Sequence, residues 1–323
     1  MIEFNKSNIR IWSRLGSCGA YGMTMCELPV EDDKVVAITA DLCFYSGLDR
    51  FKQKYPDRLY NVGIAEQNLI GVAGGMASEG LNVFASTYAS FAVTRALDQV
   101  KVNMGYMNLP IKLIGLTSGL SVSILGATHM CYEDIAIIRS LPNIVILSPA
   151  DCTETVKATI AASKYNGPVY LRLSGTMNAP IVYNEDYDFE LGKAIKLKQG
   201  KDVTIIATGT MVYNSIKAAE ELEEDGISCT VIDMHTIRPL DTKILDIECK
   251  SAKMIVTVEE HGVFGGLGAA ISDYYADKMC CPIYKIGLSD EYKHAGTYDK
   301  LIEDTGLSIK SIKDKVKQLY SLL

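Results

Sequence analysis

A glutamate and two aromatics are spaced so that they could share one pocket. Glu66 follows the short apolar run Tyr60 to Ile64, in what should be the first turn of a helix. That helix carries Leu69, Ile70, Val72, Ala73, Met76 and Ala77 at helical spacing, and Gly80 stops it. Val83 to Ala85 reads as the next strand, with Tyr88 and Phe91 just beyond it. A carboxylate at one strand end and aromatics at the next suit a flat, basic heterocycle. The carboxylate takes a ring nitrogen and the aromatics stack on the ring. Taken singly, each residue has a plainer reading: a Glu in a first helical turn serves the helix dipole at the surface, and a Tyr and Phe three apart pack in a core. His129, in Gly126-Ala127-Thr128-His129, would by itself more often be structural than catalytic.

The elements that must position these residues form a regular alternation. Ile9 to Leu28 reads as a helix closed by Pro29, with a turn at Glu31-Asp32-Asp33. Lys34 to Thr39, Ile111 to Leu116, Ile144 to Leu147 and Val169 to Leu173 are apolar throughout, as strands buried on both faces of a parallel sheet are. Helices are expected around Ser90 to Met104, Glu133 to Arg139 and Asp151 to Ser163. Gly175 to Lys201 breaks the pattern and reads as a linker. A second unit follows, with strands at Val203 to Ala207, Cys229 to Asp233, Met254 to Val258 and Ile283 to Ile286. Its helices lie around Val212 to Glu224, Leu267 to Ala276 and Ile309 to Tyr320. The expected fold is α/β: two doubly wound, mainly parallel-sheet domains over 1–178 and 201–323, joined by 179–200.

Composition narrows the function. The chain has 323 residues, 48% hydrophobic and 22% charged, enough for two domains. A net charge of -7 argues against nucleic acid or an anionic membrane as partner. No basic start leads into an apolar run, and no stretch is long and apolar enough to span a bilayer. The 9 Cys, including the neighbours Cys280 and Cys281, form no C-x-x-C, which fits reduced, buried thiols in a cytoplasm. The 4 His are scattered and no metal site is expected on this chain. The run Gly262 to Gly268 could be a nucleotide-phosphate loop, but a lone glycine-rich loop is weak evidence. It reads better as a strand-to-helix turn, with His235 and His261 structural.

Longer strings add a resemblance. VGIAEQN, STYASF, GATHMCYEDIAIIRSLPNIVILSPAD and GPVYLRL closely resemble the pyrimidine-binding half of transketolases, and the similarity continues to the C-terminus. The thiamine-dependent deoxyxylulose-phosphate synthases share much of it. The resemblance implies that Glu66 binds pyrimidine N1′ of thiamine diphosphate and favours the imino tautomer of its 4′-amino group, a role that needs a dry site. It implies that Tyr88 and Phe91 flank the aminopyrimidine and that Asp41, in Thr39-Ala40-Asp41-Leu42, lies near the cofactor. It further implies that His129 contacts sugar hydroxyls and assists proton movement, and that Arg14 helps bind a sugar phosphate. Three expected polar positions differ. Leu125 stands where an Asp usually grips a sugar hydroxyl, Thr117 where a second His usually stands, and Gly175 where an arginine is expected.

No Gly-Asp-Gly occurs in the chain, so the grip for the metal and diphosphate is missing. The resemblance then implies the second subunit of a split transketolase, in which an N-terminal subunit holds Mg2+ (or Ca2+) and the diphosphate. The expected assembly is an α2β2 heterotetramer in the cytoplasm that moves a two-carbon ketol unit between a ketose and an aldehyde, with a non-standard sugar as substrate. The alternatives are a deoxyxylulose-phosphate-synthase-like or acyloin-forming enzyme with a keto-acid donor, and a non-catalytic regulatory paralogue. A carboxylate buried without purpose is costly, which argues against the last.

Overall fold

The computed structural model describes residues 2–278 and 281–323; Cys280 of the cysteine pair lies outside the described residues. The chain opens with α1 (Lys6–Met25), capped by the Asn5 side chain and kinked at Gly16, whose φ of 75° needs a glycine. Pro29 does not close this helix. It sits in the first turn of a separate short helix, α2 (Leu28–Glu31), where its missing N–H has no role to fill.

Six strands of the first unit follow: β1 (Val35–Thr39), β2 (Leu59–Asn61), β3 (Asn82–Tyr88), β4 (Lys112–Ser118), β5 (Val145–Leu147) and β6 (Val169–Ser174). All pair in parallel, in the order β5-β6-β4-β3-β1-β2. Between them run α3 (Asp49–Lys54), α4 (Glu66–Ser78), α5 (Leu97–Val100), α6 (Asp134–Arg139) and α7 (Cys152–Lys164). The helix expected over Ser90 to Met104 is broken: π-helical turns at Phe91–Arg95 and Lys101–Tyr106 flank α5. Apolar clusters cover both faces of the sheet, which is why its strands are apolar throughout.

Part of the stretch expected as linker is a strand. β7 (Ile195–Lys198) pairs antiparallel with β9 (Cys229–Asp233) at the edge of a second sheet, ordered β12-β11-β8-β9-β7. The sheet is completed by β8 (Val203–Ala207), β11 (Met254–Gly262) and β12 (Ile283–Leu288), all parallel to their neighbours. Its helices are α8 (Met211–Glu224), α9 (Thr242–Glu248), α10 (Leu267–Tyr275), α11 (Tyr298–Asp304) and α12 (Ile309–Tyr320). The remaining strand, β10 (Thr236–Arg238), leaves this unit and pairs antiparallel with β5 of the first sheet. The glycine-rich turn before α10 is not free to cradle phosphate. Its amides at Leu267 and Gly268 already donate to the Glu259 carboxylate at 2.6 and 2.8 Å.

The two units are joined by buried charge. Arg172, 1% exposed, donates from Nε to Asp134 at 2.8 Å and from Nη2 to the Glu260 carbonyl at 2.8 Å. The Glu260 carboxylate accepts from the Leu120 amide, the Thr210 hydroxyl and the Tyr298 hydroxyl at 2.6, 2.5 and 2.6 Å. Asp151, the N-cap of α7, and Glu154, in its first turn, lie near Asp233 at the end of β9. Burial pushes Asp151 up to about 6 and Asp233 to about 7; burial and the like charge of Asp233 raise Glu154 well above the carboxylate range.

These raised carboxyls set the pH dependence of stability. Their folded pKa values exceed the unfolded ones, so the folded chain holds more protons. The stability they contribute is present at low pH and lost as pH rises through the folded values. His235 and His261, pushed down to about 4 by burial, oppose this up through the ordinary histidine range, and Lys112, pushed down to about 7 by burial, opposes it above that value. Between about pH 6.5 and 7.5 the carboxyls outweigh these groups and the thermal midpoint should fall. Each carboxyl contributes at most about 1.4 kcal/mol per pH unit. Asp233→Asn should flatten the slope; a midpoint rising over this range would contradict the assignment. Circular dichroism melts across the range read it directly.

Candidate functional site

The candidate residues gather where the parallel strands end. Glu66 is the first residue of α4, 3% exposed, with no side-chain cap competing for the helix amides. The turn before it is held by Asn61 at the end of β2. Its side-chain oxygen accepts from the Gly63 and Asp41 amides at 3.0 Å, and its amide donates to the Asp41 carboxylate at 2.9 Å. Gly63 has φ 76° with open space around it, so glycine serves the backbone there rather than a close contact. Asp41 is exposed at the end of β1 with φ 59°, and thus fixes the approach to α4 from the neighbouring strand.

Three rings face one another. Tyr88 ends β3 and Phe91 opens the first π-helical turn, with centroids 5.9 Å apart; the His129 ring lies 5.3 Å from Phe91 and 5.9 Å from Tyr88. Tyr45, from the loop after β1, adds a fourth ring 6.4 Å from Tyr88. His129 Nδ1 is 3.0 Å from the Thr128 hydroxyl, which orients the imidazole. Burial raises the Tyr88 phenol, keeping it neutral.

Glu66 is met by a residue that sequence reasoning missed. Arg95 Nη1 donates to both Glu66 oxygens at 2.9 Å, and the guanidinium carbon lies 4.2 Å over the Phe91 ring. The only signal for it in the sequence is its spacing, four residues after Phe91 at the end of the same π-helical turn. A flat cation rimmed by N–H groups is thus already accommodated between this carboxylate and this ring. The site passes a simple test of fit for an aminopyrimidine, which asks for the same two contacts.

A second cleft of about 490 Å³ opens between α1 and the ends of β4 and β6. It is lined by Cys18, Phe44, Tyr45, Thr117, Gly175 and Met177 among others, and is mostly apolar. Thr117 and Gly175, the two departures noted in the sequence, therefore meet in space. Thr117 holds φ 52°, a strained conformation for a β-branched residue, and its buried hydroxyl has no partner among the described residues. The cation on this cleft is Arg50. Arg14 is exposed on α1 before the kink and is not part of the lining. Leu125 is 48% exposed in the turn Ser123–Leu125. Among the described residues no group of His, Cys, Asp and Glu could hold a metal ion, and no helix is long and apolar enough to cross a membrane.

Residues 17–178 match the pyrimidine-binding domain of transketolase, and residues 192–312 match the transketolase C-terminal domain. The chain belongs to the transketolase family. It is 37% identical to a putative transketolase C-terminal section from Methanocaldococcus jannaschii, over 92% of this chain and 94% of that one. It is also 37% identical to a 6-deoxy-6-sulfo-D-fructose transketolase subunit from a Clostridium species, over 89% of each. A solved split-gene transketolase, described as an inactive beta4 tetramer, superposes with a TM-score of 0.86 at 36% identity, covering 95% of this chain and 99% of that one.

The two arginine–carboxylate pairs should respond differently to truncation. Asp134→Ala strands Arg172 in the interior and should cost about 3–5 kcal/mol. Glu66→Ala releases Arg95, which is 48% exposed, and should cost about 1 kcal/mol or less. Urea denaturation of the two variants measures the difference; equal losses would show that Arg95 is held as tightly as Arg172.

Proposed function

We propose that the chain is the C-terminal subunit of a split, thiamine-diphosphate-dependent transketolase that moves a two-carbon ketol unit from a ketose to an aldehyde. The observation that carries this reading is Glu66, a buried carboxylate at the start of α4 separated from the Phe91 ring by one flat guanidinium, in a family whose cofactor carries an aminopyrimidine. The proteins it matches over about nine-tenths of their length are themselves sections or subunits, which supports a separate N-terminal partner and an α2β2 assembly. That partner would hold the metal, Mg2+ or Ca2+, and the diphosphate, for which this chain has no Gly-Asp-Gly.

When bound, thiamine diphosphate supplies the carbon acid that carries the ketol unit. Glu66 holds the proton at pyrimidine N1′, and the dry site keeps that hydrogen bond strong. Phe91 and Tyr88 orient the ring by stacking. His129, steadied through Nδ1 by Thr128, moves protons to and from substrate oxygens. Asp41 acts through Asn61 on the turn that presents Glu66.

The substrate is a non-standard sugar. The cleft at Thr117 and Gly175 is largely apolar, Arg14 stands outside it, and Leu125 cannot accept a hydrogen bond. A buried sugar hydroxyl left unpaired costs about 1–3 kcal/mol. A deoxy sugar, or one gripped through another group, fits better. That one relative is named for a 6-deoxy-6-sulfo sugar supports this.

Two outcomes are expected. The chain alone, with thiamine diphosphate and Mg2+, should not turn over; activity should appear on adding the Gly-Asp-Gly-bearing partner, and Glu66→Gln should then lower the rate by roughly tenfold to ten-thousandfold with the fold retained. Unchanged hydrogen–deuterium exchange at cofactor C2 in the variant complex would remove Glu66 from this role. On a panel of donors and acceptors the reconstituted pair should favour deoxy or non-phosphorylated sugars. Best turnover with xylulose 5-phosphate and ribose 5-phosphate would overturn the substrate reading.

A further inference from the structure

The Arg95 guanidinium makes the two contacts that the cofactor's aminopyrimidine would need: N–H bonds to the Glu66 carboxylate and a face over the Phe91 ring. A carboxylate at 3% exposure needs a counter-ion wherever the cofactor is absent. Arg95 meets that need with a delocalised, weakly hydrated group. We propose that Arg95 is an internal placeholder, which holds Glu66 in the unassembled chain and leaves it when the pyrimidine arrives. This rests on the reading of Glu66 as the pyrimidine ligand and adds the group that the pyrimidine must displace.

The cleft beside Arg95 offers a place to go. Ser90, Phe91, Thr94, Arg95, Thr128 and Glu133 line an open space of about 460 Å³. The half-buried Glu133 carboxylate accepts from the Tyr132 amide at 2.8 Å, and burial raises its pKa. The Ser90 hydroxyl, on a residue 6% exposed, has no hydrogen-bond partner among the described residues. Arg95 is 48% exposed, so turning it from Glu66 toward Glu133 and Ser90 breaks one ion pair and buries no new charge alone. Glu133 is the receiving carboxylate. The two ends of the movement keep the arginine paired, so Glu66 is freed without leaving a lone cation in the cleft.

The test is the dissociation constant of thiamine diphosphate with Mg2+ for the reconstituted pair, by calorimetry. Arg95→Met removes the competing cation and keeps the apolar stem, and should tighten binding by about tenfold or more. Arg95→Gln keeps a donor for Glu66, guards against misfolding of the Met variant, and should move the constant in the same direction. Glu133→Gln in the wild-type background should weaken binding about threefold or more, an effect that should vanish beside Arg95→Met. Binding that is unchanged or weaker in both Arg95 variants overturns the placeholder while leaving the function standing. No binding by the wild-type pair overturns the cofactor assignment of Glu66, and the placeholder with it.

Discussion

A carboxylate taken out of water must be met by donors, and this molecule is arranged around several that are. Asp134 meets Arg172 and Tyr170, Glu260 meets an amide and two hydroxyls, and Glu259 meets the first amides of α10. Each set of donors comes from a different element, so each carboxylate also fixes a piece of geometry. Replacing such a network by apolar side chains would often cost nothing in stability. What it supplies here is register. Arg172 on β6 reaches Glu260 on β11, which sets how the two sheets face each other. β10 completes the join with main-chain pairing to β5. The two units therefore share one interior at their junction, and the ends of β4 and β6 are held rigidly against the second domain.

Glu66 differs from these carboxylates in one respect. Its partner comes from the same domain, 29 residues along the chain, and carries an exposed end. Asp134 Oδ2 and the Glu260 carboxylate are bonded by groups that are themselves buried or half-buried. Glu66 is bonded by a side chain that is 48% exposed. That asymmetry in burial and partners separates Asp134 and Glu260, which join the two units, from Glu66, which under the proposed function is kept available for chemistry.

Much of this was legible in the sequence, for physical reasons that also explain the gaps. The strands buried on both faces announce themselves as unbroken apolar runs, and the helix from Glu66 to Gly80 carries its own stop. β10 has three residues and gains its pairing from another domain, so nothing local marks it. β7 is half-exposed and alternates too weakly to stand out from a loop. The π-helical turns keep a helical apolar pattern while shifting its phase, which concealed that Arg95 falls on the face of Phe91. Glu66, Tyr88, Phe91 and His129 were singled out because the strings around them resemble those of transketolases. Arg95 and Arg50 were missed because an arginine on a helix has an ordinary surface reading, and only distances tell the two apart.

The exposed apolar side chains add a last constraint. Phe44 and Tyr45 follow β1, Ile64 follows β2, Ile124 and Leu125 follow β4, and Met177 follows β6, all at the carboxyl ends of parallel strands and all at least 48% exposed. Exposed apolar groups of this number mark surfaces that become covered. They border the same strand ends that carry Glu66 and the three rings. Under the proposed assembly, covering this edge and drying the site are one event. A partner seated there removes water from the rings and the carboxylate at the moment it delivers the diphosphate-binding half. Under that assembly an apolar rim around the proposed site would tie catalytic competence to association.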